Sequence, residues 1–116
     1  MSNKPITPAI HGAIDYFFGI TLLTVPPLIG CSKKAIRYYR ILGAEVILYG
    51  AITKQPLSAW PLIPMKTHRS IDMANLAGLA LLTCSKEIRR NSNASIFTWL
   101  MVAAGATTVL LTKWEK

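Results

Sequence analysis

Hydrophobic positions along the chain are gathered into four blocks, and short basic or proline-bearing segments separate them. The blocks cover residues 8–29, 35–53, 64–85 and 94–112. Each is about 19 to 22 residues long, and a helix of that length matches the roughly 30 Å hydrocarbon core of a bilayer. The fourth block has no charged residue and so lacks the polar face that a soluble helix needs. The pattern therefore predicts four transmembrane helices.

Local sequence also predicts where the helices begin and end. Prolines and side chains that accept hydrogen bonds from free backbone N–H groups are typical of helix starts. Such residues are Thr7 before Pro8, Ser32, Pro64 or Thr67, and Asn93. Pro26 and Pro27 predict a kink or an end to the first helix. Residues 54–64 predict a loop at the membrane interface, the level that suits the aromatic side chains of Tyr38, Tyr39, Trp60 and Trp114.

Three short motifs occur twice, in the same order, in the two halves of the chain. They are His11-Gly-Ala-Ile-Asp15 and His68-Arg-Ser-Ile-Asp72, then Cys31-Ser-Lys and Cys84-Ser-Lys, then Thr53-Lys54 and Thr112-Lys113. This recurrence predicts a duplication, with one repeat at about residues 5–54 and the other at about residues 61–113. Because each repeat holds two helices, the first and third helices run in the same direction. We therefore predict an all-α fold, a four-helix transmembrane bundle of two parallel two-helix repeats within a single membrane domain, residues 1–116.

Composition and charge agree with a membrane location. The chain is 52% hydrophobic and 16% charged, whereas soluble domains average about 25% charged residues. The net charge of +8 comes from Lys and Arg residues that cluster at the ends of the hydrophobic blocks, where they suit anionic lipid head groups. We expect membrane lipids as partners, no nucleic acid, and a second copy of the chain or another membrane protein. The expected location is a bacterial cytoplasmic membrane.

The ionisable residues inside the blocks are the candidates for a site. They are His11, Asp15, Glu45, His68 and Asp72. Residues four apart share a helix face, so each histidine lies beside the aspartate of its own helix. Counted along the helices, Asp15, Asp72 and Glu45 lie about 10, 12 and 13 Å from the same surface. Because a charge at that depth in lipid costs at least about 2.5 kcal/mol, we expect all of them to point into the bundle.

The arrangement of these motifs resembles the SPW-repeat family of small integral membrane proteins. The shared order is a His-x-x-x-Asp at a helix start, an apolar run, a proline near its end and a second helix, then the same again. The resemblance implies a unit of two transmembrane helices, here doubled, and no known biochemical activity. Where the family has Ser-Pro-Trp, the first copy has Val25-Pro26-Pro27 and the second copy has no proline.

Four functions fit these residues. The His–Asp pairs can anchor helix starts without a ligand. They can bind a small solute or respond to protons, since histidine titrates near neutral pH. His11, His68, Asp15 and Asp72 can bind a metal ion such as zinc or iron. Finally, His11 and His68 can hold a haem between the repeats.

Catalytic signatures do not occur in the sequence, which has no Gly-x-Ser-x-Gly, P-loop, dinucleotide-binding or cysteine-rich zinc motif. We therefore predict a small integral membrane protein that is not an enzyme and has no cofactor. Its expected role is to bind a small solute or respond to protons through the five ionisable residues. The alternative is a metal- or haem-binding membrane protein that uses His11 and His68.

Overall fold

Five α-helices make up the regular structure of residues 4–114, the part of the chain that this computed structural model describes. They are α1 (Pro8–Leu28), α2 (Lys33–Ala51), α3 (Met65–Leu82), α4 (Lys86–Arg89) and α5 (Ser92–Leu111). The prediction of an all-α fold is confirmed, and each hydrophobic block forms one long helix. The hydrophobic pattern does not predict the short α4, which begins after Ser85 and buries the side chain of Ile88 completely.

Most helix ends follow the local chemistry of the sequence. The Thr7 side chain accepts a hydrogen bond from the Ile10 N–H at 3.2 Å, and the Ser32 side chain accepts one from the Ala35 N–H at 3.1 Å. Helix α3 begins directly after Pro64. Helix α1 runs through both prolines and ends at Leu28, as the proline pair predicts.

The prediction that Asn93 caps the last long helix is wrong. Helix α5 begins two residues earlier than that cap requires, because the Asn91 side chain accepts the hydrogen bond from the Ala94 N–H at 3.2 Å. Asn93 lies within the helix, and its side chain donates to the Ile29 carbonyl at 3.0 Å. Both asparagines can cap a helix, and the bond to Ile29 is a tertiary contact that local sequence does not reveal.

The long helices pack mainly in two pairs, α1 with α2 and α3 with α5, and further contacts between α1 and α5 and between α2 and α3 join the pairs. In the first pair the two backbones meet at Gly19 and Gly43. A Cβ atom on Gly43 would lie 2.7 Å from the Gly19 carbonyl oxygen, and one on Gly19 would lie 2.9 Å from the Gly43 carbonyl oxygen. Only residues without a side chain permit this approach.

An apolar core lies at the end of the molecule where α1 meets α2, with Tyr39 in its interior. The Tyr39 side chain is fully buried, its ring packs edge-on against Phe97 with centroids 5.4 Å apart, and its hydroxyl donates to Thr98. Tyr39 therefore packs within the protein and does not present its ring to the surroundings. The reason is helical phase, since Tyr39 shares the buried face of α2 with Ala35 and Gly43.

The two cysteines are free thiols in different surroundings. Cys31, between α1 and α2, is buried, whereas Cys84, after α3, is exposed. Burial raises the pKa of the Cys31 thiol. Cys31 packs in the apolar core with Leu22 and Ala35, where a protonated thiol acts as a small apolar side chain.

Two helices, α1 and α5, are long and apolar enough to cross a membrane by length and composition. Only 28% of the most apolar stretch of each is buried within the protein. Helices α2 and α3 carry basic residues near their starts, at Lys33, Arg37, Lys66 and Arg69. The two candidate spans are the first and the last of the long helices, and the two more polar helices, α2 and α3, lie between them in the chain.

We predict that Gly43→Ala lowers the free energy of unfolding by about 2 kcal/mol, because the added methyl group forces the α1 and α2 backbones apart. The measurement is thermal unfolding of the detergent-purified protein, followed by circular dichroism. Gly78→Ala in α3 is the matched control, since a Cβ there has no atom within 4 Å. The control gains helix propensity and is stabilised by up to about 1 kcal/mol. Equal shifts for the two variants would show that the glycine contact is not needed.

Candidate functional site

The histidine and aspartate side chains of the repeated motif meet in the interior. His11 is the fourth residue of α1 and His68 is the fourth residue of α3, and each aspartate follows one turn later. One turn of helix places residues four apart on the same face, so each helix presents one imidazole and one carboxylate. All four residues are buried, with exposed fractions between 1% and 7%.

Each histidine contacts both aspartates. The His11 Nε2 atom lies 3.0 Å from Asp72 Oδ2 and 3.1 Å from Asp15 Oδ2. The His68 Nε2 atom lies 2.8 Å from Asp15 Oδ2 and 3.3 Å from Asp72 Oδ2. The shorter contact of each ring is with the aspartate of the other helix. The cluster therefore joins α1 to α3, in addition to the contacts within each helix.

Two threonine hydroxyls bind the outer nitrogen atoms of the rings. Thr112 Oγ1 lies 2.8 Å from His11 Nδ1, and Thr53 Oγ1 lies 2.7 Å from His68 Nδ1. Each hydroxyl donates its single hydrogen to the backbone carbonyl four residues earlier, in the last turn of α2 or α5. It must therefore accept a hydrogen bond from the ring, which fixes a hydrogen on both Nδ1 atoms. The Nε2 atoms of both rings are turned toward the carboxylates.

Two equivalent backbone contacts position the threonines. The N–H groups of the residues after Thr112 and Thr53 donate to the carbonyls of Ile6 and Ile63, at 2.8 and 2.7 Å. Isolated bridges pair Ile6 with Thr112 and Ile63 with Thr53. Ile6 and Ile63 each stand five residues before a histidine. The segment before α1 thus holds the end of α5, next to the threonine that contacts His11. In the same way, the segment before α3 holds the end of α2, next to the threonine that contacts His68.

Tyr49 and Trp114 complete the surroundings of the cluster. The Tyr49 hydroxyl donates to Asp72 Oδ1, and its ring lies 4.6 Å from the His68 ring. The Trp114 ring lies 5.0 Å from the His11 ring and 6.3 Å from the His68 ring. The guanidinium of Arg69 lies 5.8 Å from the centre of the Trp114 ring. Trp114 therefore covers both imidazoles.

A small cavity adjoins the cluster. His11, Asp15, Tyr49, Asp72 and Asn75 line its polar side, and apolar side chains of α1, α2, α3 and α5 line the remainder. Its volume is about 30 Å³. A space of this size beside polar groups is enough for one water molecule.

Glu45 is not part of this cluster. Its side chain is exposed, whereas Gly43, Val46 and Tyr49 belong to the buried face of α2. The prediction that Glu45 points into the interior is therefore wrong. Counting residues gives the depth of a side chain along a helix, but the direction of that side chain depends on the rotation of the helix.

Four ligand atoms converge at the centre of the site. One atom from each of His11, Asp15, His68 and Asp72 lies within 4.8 Å of all the others. The set offers two nitrogen and two oxygen donors and carries two negative charges when both carboxyl groups are ionised. The two imidazole centroids are 5.1 Å apart, and both carboxylates contact both Nε2 atoms. The space between the rings suits a single ion and is too small for a porphyrin.

Sequence reasoning did not assign Thr53, Thr112, Tyr49 or Trp114 to the site. The two threonines did carry a signal, because Thr-Lys recurs at the same place in both halves of the chain. Tyr49 has no counterpart in the second half, and the position of Trp114 after α5 gives no hint of a contact with α1 and α3. These two contacts depend on tertiary packing alone.

We predict that Asp72→Asn lowers the free energy of unfolding by about 2 to 3 kcal/mol, because the buried rings and the Tyr49 hydroxyl lose a charged partner. Glu45→Gln is the matched control and should change it by no more than about 0.5 kcal/mol, as is usual for an exposed position. Chemical unfolding of the detergent-purified variants measures both. A loss for Glu45→Gln as large as that for Asp72→Asn would contradict the placement of Glu45 outside the cluster.

Comparison with known proteins gives no relative for this chain, since no protein-family model, curated protein or solved structure matches it. Membership of the SPW-repeat family therefore stays a prediction. The buried His–Asp cluster is the feature of this chain from which a function can be inferred.

Proposed function

We propose that this chain is a small non-enzymatic integral membrane protein that binds a small cation at the His–Asp cluster. The observation that carries the proposal is the convergence of two Nε2 atoms and two carboxylate oxygens in the interior. Two carboxylates that share a buried site need positive charge between them, which either protonated histidines or a bound cation can supply. When both rings are neutral, a small cationic solute is the occupant that this chemistry favours.

The exposed surface supports the membrane part of the proposal. Every long helix exposes large apolar side chains, among them Phe17 (73%), Leu48 (64%), Leu81 (72%) and Leu110 (69%). In a soluble monomer such residues would form apolar patches in water. The core helix of a soluble protein is mostly buried, whereas α1 and α5 are largely exposed. Contact with lipid accounts for these surfaces.

Matched contacts support the proposed architecture, a four-helix transmembrane bundle of two parallel repeats at about residues 5–54 and 61–113. The contact of His11 with Thr112 has its counterpart in the contact of His68 with Thr53. The bridge from Ile6 has its counterpart in the bridge from Ile63. A two-fold relation between the two halves explains why the contacts of one histidine recur at the other.

Glu45 supports a protein partner within the membrane. It lies on an exposed face of α2, about 13 Å from the surface that holds the ends of α2 and α5. An ionised carboxylate facing lipid at that depth costs at least about 2.5 kcal/mol. A second copy of the chain or another membrane protein with a donor at this level would remove that cost.

A ligand-free anchor is the second candidate function. The N···O separations of 2.8–3.3 Å in the cluster also suit hydrogen bonds, provided that each ring carries a proton on Nε2. In that case the cluster fastens α1 to α3 and binds nothing else. Binding experiments separate this function from cation binding.

We predict that the full chain stays with the membrane when membranes from expressing cells are washed with alkaline carbonate. The reason is that its exposed apolar helices partition into lipid. Immunoblotting of the pellet and supernatant measures the distribution, with a peripheral membrane protein of the host as the control. Release of the chain together with the peripheral control would overturn the membrane part of the proposal.

We further predict that a small cation raises the unfolding temperature of the detergent-purified protein. Sodium, ammonium, magnesium, manganese and zinc salts are the probes, each tested across a concentration series. At a concentration of 100 times the dissociation constant, the expected stabilisation is about 2.7 kcal/mol.

The control for this experiment is the double variant Asp15→Asn, Asp72→Asn, which keeps the shapes of both side chains and removes their charge. It should show no stabilisation by the same cation. If no cation stabilises the wild-type protein, or if the double variant responds equally, the cluster is a ligand-free anchor.

A further inference from the structure

We propose that the cation is a divalent transition metal ion of the zinc type, bound by His11 Nε2, His68 Nε2, Asp15 Oδ2 and Asp72 Oδ2. This inference rests on the proposed cation-binding function and names the class of ion. The four atoms come from two helices and lie within 4.8 Å of one another. The site is a closed one, with four protein ligands.

Four of the six separations between the ligand atoms are close to those that such an ion requires. Ligands about 2.0–2.1 Å from a tetrahedral zinc ion lie about 3.3 Å from each other. The four N···O separations in the cluster run from 2.8 to 3.3 Å. Small outward movements of the side chains are enough to admit the ion along these four edges.

The threonine hydroxyls hold the rings in the form that binds a metal. Each fixes a hydrogen on Nδ1, so in the neutral ring the lone pair lies on Nε2 and faces the carboxylates. Two lone-pair atoms at these distances repel each other unless a positive species lies between them. Metal-bound histidines typically donate their other ring N–H to a fixed acceptor, and here Thr53 and Thr112 are those acceptors.

Charge and donor type select the class of ion. Two carboxylates and one divalent ion sum to zero charge, which is the state that a low-dielectric interior tolerates best. Magnesium and calcium prefer six or more oxygen ligands, whereas two imidazoles with two carboxylates suit zinc and related ions. Trp114 covers both imidazoles, and its ring lies 5.0 Å from the His11 ring.

The closed ligand set also gives the metal a role. A metal site with four protein ligands holds structure, whereas a catalytic site keeps a position open for water or substrate. The ion would bind α1 and α3 directly and, through the threonines, α2 and α5. All four long helices are then tied to one atom.

The test uses the full chain, purified in detergent with a histidine-free tag, stripped with a chelator and titrated with Co²⁺ as a spectroscopic substitute for Zn²⁺. Four-coordinate Co²⁺ absorbs visible light far more strongly than six-coordinate Co²⁺. We expect the strong spectrum at one equivalent, its loss on addition of Zn²⁺, and its persistence in excess Mg²⁺. Weak absorption only, or displacement by Mg²⁺, would overturn the inference.

X-ray absorption at the zinc edge of the wild-type protein gives a second measurement that needs no variant. The chain has two histidines, so imidazole scattering reports this site alone. Two imidazole and two oxygen ligands are expected. A shell of oxygen atoms without imidazole would overturn the inference.

Variants of the threonines test the positioning of the rings. Thr53→Val and Thr112→Val should each lower Co²⁺ affinity by about 10- to 100-fold, as other losses of an outer hydrogen bond to a metal ligand do. Thr107→Val is the matched control, because its hydroxyl makes the same bond to the carbonyl four residues earlier but contacts no histidine. Equal affinities in all three variants would contradict the role of the two threonines.

The outcomes distinguish the two proposals. If sodium, ammonium or magnesium stabilises the wild-type protein and Co²⁺ gives no four-coordinate spectrum, the inference is wrong and the cation-binding function stands. If no cation of the series stabilises the protein, both are wrong.

Discussion

Burying two carboxylates together is the constraint on which the rest of this structure depends. Asp15 and Asp72 bring two negative charges into one small volume, and an unpartnered buried ion costs several kcal/mol. Both imidazoles must turn Nε2 toward these charges, which requires a partner for each Nδ1 atom. Thr53 and Thr112 supply it from just beyond the ends of α2 and α5. The ends of those two helices therefore lie beside the histidines, where the threonine hydroxyls can reach the rings.

The two halves of the chain agree closely at the cluster and differ away from it. Four residues before its threonine, α2 has Tyr49, which reaches Asp72, whereas α5 has Thr108, whose hydroxyl donates to the Ala104 carbonyl. The close glycine contact belongs to α1 and α2, and α4 occurs in the second half only. Packing outside the cluster can thus vary while the cluster keeps its geometry. The features that the two halves share are thus the buried polar groups of the cluster.

Features that depend on position along a helix could be predicted from the sequence. Features that depend on the rotation of a helix or on tertiary contacts could not. The four long helices, three of their starts and the adjacency of each histidine to the aspartate one turn later follow from local pattern. Glu45 was misplaced because depth along an axis says nothing about direction around it. Asn93 was misplaced because the bond to Ile29 is tertiary. The pairing of each imidazole with the opposite half has no local signature either.

The contacts of the two imidazoles with threonines also bear on how such a site can arise. Each half of the chain supplies one histidine, one aspartate and one threonine, and each ring takes its hydroxyl from the other half. Two identical chains of half this length would carry the same six groups and could complete the same site at their interface. Such a symmetric dimer would have to keep both sides alike. Joining the halves in one polypeptide removes that restriction. A tyrosine such as Tyr49 can then contact one aspartate, Asp72, without an equivalent tyrosine at the other aspartate.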